Sequence, residues 1–289
     1  MNPYTKFITD YERLIREAKK LPLGGLPPAP RPNLAFDAPR VLVFSPHPDD
    51  ECIIGGLALR LMREARVNVL NVAVTQGSNK ARQAERFAEL ENACHHLGFG
   101  LVATGATGLE KINPKTREQD PAHWNRCVEI IAGILVKNRP RAILLPHDQD
   151  WNSTHVGTHH LVMDALQRMP VEFECALFET EYWAPMATPN LMVEIAANDL
   201  ADMVGALTFH IGEVERNPYH VSVAAWMYDN VRRAEIVGGQ GCAAPDFTFA
   251  TIYRLRKWWQ GRVANVLKAG KFLSKAQNPG ELFQIANLQ

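Results

Sequence analysis

Ionisable side chains crowd one short stretch of this chain, directly after an apolar run at residues 41–45. His47, Asp49, Asp50 and Glu51 lie within five positions of one another. Three carboxylates and an imidazole so close together repel and desolvate one another unless a cation or a proton compensates their charge. The types and spacing of these residues therefore point to a metal enzyme.

A second polar cluster follows another apolar run, at residues 142–145. It reads His147-Asp-Gln-Asp150 and then Asn152-Ser-Thr-His155. In a parallel sheet both clusters would open at the same edge, because reactive groups collect at the carboxyl ends of the strands. Two histidines and one carboxylate from such loops make a catalytic zinc site with one position left for water. Either Asp49 or Asp50 could supply that carboxylate, and the remaining one would then act as general base.

Each cluster also has a purely structural explanation. Asp49 or Asp50 would cap a helix beginning at Glu51, where the helix dipole favours a carboxylate. A histidine at the start of a helix, as expected for His155, is often a capping or surface group. Asp150 would either orient a ligand histidine or make an Asx turn within its loop.

The elements that must position these clusters alternate between strand and helix. Apolar runs predict strands at 41–45, 68–75, 100–103 and 142–145, and helical patterns predict helices at 53–64, 80–97, 122–138 and 155–168. This order predicts an α/β fold with a doubly wound, mostly parallel, Rossmann-like sheet. Beyond residue 170 the pattern is less regular, with strands expected at 176–182 and 192–196 and helices at 199–207, 219–237 and 253–267.

The chain is expected to have two parts. Residues 1–39 predict an N-terminal helix and a proline-rich arm, which cannot form regular structure and should wrap the surface. Residues 40–289 predict a single α/β domain with a C-terminal extension from about residue 185. Either the arm or the extension could form a subunit interface, so a homo-oligomer is possible.

The composition limits the kinds of binding partner and the cellular compartment that we expect. Thirty-one basic residues balance 31 acidic ones, so we expect no nucleic-acid partner. The five cysteines are scattered and never form a CxxC pair, which indicates reduced thiols rather than a disulfide framework. No run reaches the roughly 18 apolar residues of a membrane span. We therefore expect a cytoplasmic protein without stable membrane insertion.

Several of these motifs together resemble one family. Pro46-His-Pro-Asp-Asp-Glu51 after a hydrophobic strand is similar to the signature of the PIG-L/LmbE-like zinc-dependent de-N-acetylases, which remove acetyl groups from N-acetylglucosamine-containing molecules. Supporting similarities are Thr75-Gln-Gly77, Arg86-Phe-Ala-Glu89, Asn152-Ser-Thr-His155 and the segment 178–185. The resemblance covers residues 40–185 well and implies the family's fold and a Zn²⁺ cofactor.

The resemblance also implies a role for particular residues. His47, Asp50 and His155 stand where the family has its zinc ligands, and Asp49 stands where it has its general base. Arg86 matches an arginine that contacts substrate in some members, although a solvated charge on a helix would explain it equally well.

One position departs from the family's pattern. The first histidine of the family's His-x-x-His is Asn152 here, which can donate a hydrogen bond to an oxyanion but cannot carry a proton. The group that protonates the leaving amine is therefore open, among Asp49, His147, His159 and His220.

The predicted function is removal of an acetyl group from a small N-acetylated amino sugar of the GlcNAc type by attack of a zinc-bound water. Trp124, Trp151, Tyr182 and Trp183 are candidates to stack on a sugar ring. One alternative is an amidase acting on a thiol conjugate, a secondary metabolite or an amino-acid derivative. Another is a non-catalytic sugar-binding protein of the same fold, which Asn152 would favour. A site with two histidines and one aspartate also accepts Fe(II), Co(II) or Mn(II).

Overall fold

The computed structural model describes residues 2–286 and is built around one nine-stranded sheet. The strands are β1 (Arg40–Ser45), β2 (Asn68–Ala73), β3 (Gly100–Ala103), β4 (Ala142–Pro146), β5 (Cys175–Thr180), β6 (Leu191–Glu194), β7 (Ala250–Trp259), β8 (Arg262–Asn265) and β9 (Lys271–Leu273). Their order across the sheet is β3-β2-β1-β4-β5-β7-β6-β9, and β8 pairs with β7. Strands β1 to β5 pair with one another in parallel, whereas β7 is antiparallel to β5 and β6, so the predicted mostly parallel α/β sheet is confirmed.

Helices cover both faces of this sheet. They are α1 (Tyr4–Ala18), α2 (Asp50–Ile53), α3 (Gly55–Ala65), α4 (Gln83–Leu97), α5 (Pro114–Gln119), α6 (Pro121–Asn138), α7 (Ser153–Leu166), α8 (Ala197–Leu207), α9 (Ile211–Arg216), α10 (Val223–Arg232), α11 (Ala234–Gly238) and α12 (Glu281–Ile285). Within residues 2–286, no helix combines the length and the apolar character needed to cross a membrane.

Strand β1 shows why its sequence is continuously apolar. Val41 and Val43 pack into a core shared with α3, α4 and α8, whereas Leu42 and Phe44 pack into a second core shared with α6 and α7. Both faces of the strand are therefore buried, as is typical of a central parallel strand. This leaves the carboxyl end of β1 as the place where polar groups can emerge.

The N-terminal part behaves as an ordered arm. No residue of α1 is buried, and residues 19–39 form neither helix nor strand. The amide of Ala29 donates to the carbonyl of His96, and the amide of Gly24 donates to the Thr208 hydroxyl. The arm thus crosses the ends of α4 and α8, while the division of the chain into parts at residue 39 stays a prediction.

The helix predicted at residues 253–267 is wrong, because this segment forms the antiparallel hairpin of β7 and β8. Gln260 and Gly261 have φ angles of 51° and 70°, which suit a tight hairpin turn. Arg254 and Arg256 of β7 pair with the buried Glu179 of β5. Two other predicted helices are interrupted. The helix predicted at 53–64 is broken at Ile54, and the one predicted at 219–237 is a short 3-10 helix (Tyr219–Ser222) followed by α10 and α11.

Candidate metal centre

Three potential ligand atoms converge at the carboxyl ends of β1 and β4. His47 Nδ1 lies 3.4 Å from Asp50 Oδ2, His155 Nε2 lies 3.4 Å from the same oxygen, and the two ring nitrogens are 3.2 Å apart. His47 lies in the turn after β1, Asp50 is the first residue of α2, and His155 lies in the first turn of α7. The structure therefore brings together the three residues predicted to bind metal.

The shape of this triangle fits a tetrahedral metal ion. Ligand atoms that lie about 2.0–2.1 Å from a zinc ion in a tetrahedron are about 3.4 Å apart. Two imidazole nitrogens facing each other at 3.2 Å also need a cation or a proton between them, because their lone pairs would otherwise repel. The donor set of two imidazoles and one carboxylate is one that zinc accepts in catalytic sites. The residues present therefore fit the ion that the sequence predicts.

Asp150 lies behind His155, the third candidate ligand. Its Oδ2 lies 3.5 Å from His155 Nδ1, on the side of the ring opposite the triangle. The same carboxylate accepts hydrogen bonds from the amides of Asn152, at 2.8 Å, and Trp183, at 3.2 Å. Asp150 therefore makes the turn expected in its loop and also faces His155, while its role in orienting a metal ligand stays a prediction. His155 is fully buried and is not a surface group.

Asp49 has an unusual backbone conformation and partners outside the triangle. Its φ angle is 116°, a value that residues other than glycine rarely adopt. Its side chain does not cap α2. The hydroxyl of Tyr219 donates to Asp49 Oδ2 at 2.5 Å, and Arg86 Nη2 lies 4.0 Å from Oδ1. The two adjacent carboxylates thus have different partners: Asp50 Oδ2 faces the two imidazoles, and Asp49 contacts Tyr219 and Arg86.

The charges of the cluster are strongly coupled. Burial, together with the neighbouring charge of Asp50, raises the pKa of Asp49 from 3.8 to about 6. Burial also disfavours the charged form of Asp50, but His155 and His47 outweigh it and lower the pKa of Asp50. Burial likewise opposes protonation of His155, yet Asp50 and Asp150 raise its pKa from 6.5 to about 9. The cluster therefore favours positive charge at its centre.

Glu51 fixes the strained turn from beneath. It is fully buried, and its Oε2 accepts a hydrogen bond from the amide of Asp49 at 3.0 Å. Its Oε1 accepts from His210 Nε2 at 2.7 Å and from the thiol of Cys52 at 3.1 Å. Glu51, Cys52 and His210 also form a second group of possible metal ligands, but these hydrogen bonds already account for their contacts.

Arg86 is placed in the site rather than on a solvated helix face. Its side chain is only 12% exposed, and its Nη2 donates to the carbonyl of Pro48 at 2.9 Å. Gly77 gives it room, since a Cβ there would lie 2.3 Å from Arg86 Nη1 and the φ angle of Gly77 is 81°. The glycine that follows β2 is thus required by the arginine beside it.

Asn152 is the N-cap of α7. Its Oδ1 accepts a hydrogen bond from the amide of Thr154 at 2.9 Å, which leaves only its amide nitrogen to donate elsewhere. Asn152 does not belong to the triangle of candidate ligands. Its predicted contact with an oxyanion stays a prediction.

Two of the imidazoles considered as proton donors are engaged elsewhere. His147 Nε2 lies 2.9 Å from the carbonyl of Ala184, and its Nδ1 accepts from the amide of Gln149. His159 Nδ1 lies 2.9 Å from the carbonyl of Pro146. Burial lowers the pKa of His220, so this imidazole favours its neutral form. The group that protonates the leaving amine stays an open prediction among these candidates and Asp49.

Two cavities of different character adjoin the site. We call the first the polar cavity, with a volume of about 580 Å³. Its lining includes His47, Lys80, Arg86, Glu110, Asn113 and Thr154. We call the second the aromatic cavity, with a volume of about 250 Å³. Its lining includes Ile53, Tyr182, Trp183, Tyr219, Val223 and Trp226.

The four aromatic residues considered as sugar-stacking candidates lie in different environments. Trp124 is buried and donates from Nε1 to Asp164, so it belongs to the core. Trp151 is 72% exposed, and its ring centre lies 6.4 Å from that of Trp183. The ring of Tyr182 meets the ring of His155 edge-on at 4.6 Å. Sequence reasoning missed Tyr219, for which no local motif gave a signal.

Fold and site together define an α/β protein with a candidate metal centre of two histidines and one aspartate at the strand ends. Residues 42–166 match the family model PIG-L, described as GlcNAc-PI de-N-acetylase. The matched part contains the three candidate ligands together with Asp49 and Arg86. The resemblance to the PIG-L/LmbE-like family is therefore confirmed. A comparison with curated proteins gave no match.

Several solved structures have the same fold. The N,N'-diacetylchitobiose deacetylase from Pyrococcus horikoshii is 18% identical over 90% of this chain and 96% of its own, with a TM-score of 0.53. The A40926 pseudoaglycone deacetylase Dbv21 is 16% identical over 76% of this chain and 98% of its own, with a TM-score of 0.54. GalB, the 4-carboxy-2-hydroxymuconate hydratase from Pseudomonas putida KT2440, is 17% identical over 75% of this chain and 95% of its own, with a TM-score of 0.53. Because a hydratase shares the fold with deacetylases, the fold alone does not fix the reaction.

Proposed function

We propose that this protein is a metal-dependent N-deacetylase that removes an acetyl group from a small N-acetylated amino sugar of the GlcNAc type. The observation that carries this proposal is the triangle of His47, Asp50 and His155, whose ligand atoms are 3.2–3.4 Å apart, with Asp49 beside it. The family match over residues 42–166 and the deacetylases among the similar structures support the same reaction.

Each residue then has a physical role. His47, Asp50 and His155 hold the ion, and Zn²⁺ bound there would polarise the acetamide carbonyl and acidify a water molecule. Asp49 takes the proton of the attacking water, and the hydrogen bond from Tyr219 keeps its carboxylate in place.

The leaving nitrogen then needs the proton that Asp49 has received. The water oxygen bonds to the carbonyl carbon, the C–N bond breaks, and acetate and the free amine leave. The amide nitrogen of Asn152 would donate to the oxyanion, since its oxygen is used by the helix cap.

The polar cavity suits the sugar part of the substrate. Arg86, Asn113 and Thr154 offer hydrogen-bond donors along a space of about 580 Å³, which is within the usual size of a small-molecule site. A free or small-carrier amino sugar in the cytoplasm is therefore the proposed substrate. A homo-oligomer is compatible with the exposed apolar residues of α1, such as Phe7, which is 65% exposed.

Acetate release from N-acetylated compounds tests this proposal. The panel contains N-acetylated sugars, N-acetylated amino acids and thiol conjugates, each with the enzyme as isolated, after chelation, and after chelation followed by Zn²⁺, Fe(II), Co(II) or Mn(II). We expect release from amino sugars that chelation stops and metal restores. Release only from the other amides would instead support an amidase with a different substrate. Binding of sugars without release from any amide would support a non-catalytic protein.

A further inference from the structure

The aromatic cavity is in direct contact with the proposed reaction centre. The ring of Tyr182 meets the ligand His155 edge-on at 4.6 Å, and the hydroxyl of Tyr219 donates to Asp49 at 2.5 Å. Two walls of the cavity therefore touch a metal ligand and the proposed base. A group placed in this cavity would lie beside the atoms that react.

The lining of the cavity selects apolar groups. Four aromatic side chains and the aliphatic Ile53 and Val223 form most of it, Ser222 is the only non-aromatic polar residue, and no charged residue takes part. Trp183 is 44% exposed, and its ring centre lies 6.1 Å from that of Tyr219. The entrance is thus aromatic as well. A charged group would lose its hydration here without finding a partner of opposite charge.

The cavity is too large for an acetyl group alone. Its volume of about 250 Å³ is roughly that of eight groups of water size, whose share of the liquid is about 30 Å³ each. An acetyl methyl would fill only a small part of it. The polar cavity on the side of His47 is available for the amine-bearing half of the substrate, so the acyl half is the natural occupant of the aromatic one.

The walls of this cavity come mainly from outside the part that matches the family. Trp183 follows β5, while Tyr219, Val223 and Trp226 belong to the segment at 219–226. The family match ends at residue 166. The cavity is therefore a property of the C-terminal part of this chain.

We propose that the aromatic cavity is an acyl-binding subsite that accepts acyl chains longer than acetyl, of about four to eight carbons. This inference rests on the proposed hydrolysis at the same site. The reaction remains a simple hydrolysis: the water oxygen bonds to the acyl carbon, the C–N bond breaks, and a fatty carboxylate and an amine leave. Trp226 is the residue that determines the preference for acyl-chain length.

The test compares kcat/KM for N-acetyl-, N-butyryl-, N-hexanoyl- and N-octanoylglucosamine. Each methylene buried in an apolar site should raise kcat/KM about fourfold, so butyryl should exceed acetyl by about 16-fold. In Trp226→Ala the ratio of hexanoyl to acetyl kcat/KM should fall by about tenfold, because the chain loses one wall. Tyr228→Ala, on the same helix but 64% exposed and outside the cavity lining, is the matched control and should leave the ratio unchanged.

The outcomes separate this inference from the proposed function. Hydrolysis of the acetyl compound with no gain for longer chains, or an unchanged ratio in Trp226→Ala, would overturn the acyl subsite and leave the deacetylase proposal standing. No hydrolysis of any compound would overturn the deacetylase proposal. In that case, calorimetric titration with acetate, butyrate and hexanoate tests whether the cavity binds acyl chains, independently of hydrolysis. Affinity that rises with chain length in the wild type and not in Trp226→Ala supports the subsite, and equal affinities refute it.

Discussion

Replacing Asp150 by asparagine should weaken zinc binding about 10- to 100-fold, which corresponds to about 1.4–2.7 kcal/mol. The carboxylate Oδ2 lies 3.5 Å from His155 Nδ1, where it orients the ring and favours the tautomer that offers Nε2 to the metal. Asparagine keeps an oxygen for the amide of Asn152, now 2.8 Å from Asp150 Oδ1, but removes the negative charge. The loss should therefore appear in metal affinity more than in folding.

Asp150→Ala is the matched comparison. It removes the acceptor of two backbone amides, those of Asn152 and Trp183, and each lost hydrogen bond costs about 0.5–1.5 kcal/mol of folding free energy. Both variants should lose zinc affinity. Asp150→Asn keeps the acceptor of Asn152 but loses that of Trp183, so we expect it to lose about 0.5–1.5 kcal/mol of stability, whereas Asp150→Ala should lose about 1–3 kcal/mol. Competition with a chelator of known affinity measures the first quantity, and denaturant unfolding of the metal-free protein measures the second. Unchanged zinc affinity in Asp150→Asn would refute a role for Asp150 behind His155.

Three further substitutions test the neighbouring groups. Tyr219→Phe should lower kcat about tenfold or more at unchanged zinc content, because a hydrogen bond to a charged group is worth about 1.5–3 kcal/mol; an unchanged kcat would show that this bond does not position Asp49. Gly77→Ala should raise KM and cost about 1 kcal/mol of stability, since its Cβ would meet Arg86 at 2.3 Å at a φ of 81°; a normal KM would argue against Arg86 as a substrate contact. Asp49→Gly should abolish turnover. Its free energy of unfolding should exceed that of Asp49→Ala by about 1 kcal/mol, because only glycine adopts a φ of 116° without strain. Equal stabilities of the two variants would show that this turn holds no backbone strain.

The parallel half of the sheet could be predicted because each of its elements has a local signal. Strands β1 and β4 are continuous apolar runs, and the polar residues that follow them mark their carboxyl ends. Because these two strands are neighbours in the sheet, His47 and His155 meet although 108 positions separate them. The replacement of the family's first histidine by Asn152 is also visible in the sequence alone. The capping role of Asn152 follows from its position directly before α7.

The rest depends on contacts that no local pattern carries. Tyr219 reaches Asp49 across 170 positions, and the helix pattern expected around it is broken into short pieces. Strand β7 depends on its pairing with β5, where the buried Glu179 faces Arg254 and Arg256, and this contact has no local signal in the segment 253–267. The aromatic cavity combines residues from three separated segments, and its shape exists only after they pack.

The most direct test of the proposed site is Asp49→Asn, assayed for bound zinc and for acetate release in the same preparation. Asparagine has the size of aspartate but cannot accept the proton of water, whereas His47, Asp50 and His155 remain to hold the metal. We expect zinc content equal to that of the wild type and almost no acetate. His47→Ala should lose the metal itself and serves as the contrast. Full activity in Asp49→Asn with zinc bound would contradict the assignment of Asp49 as the base.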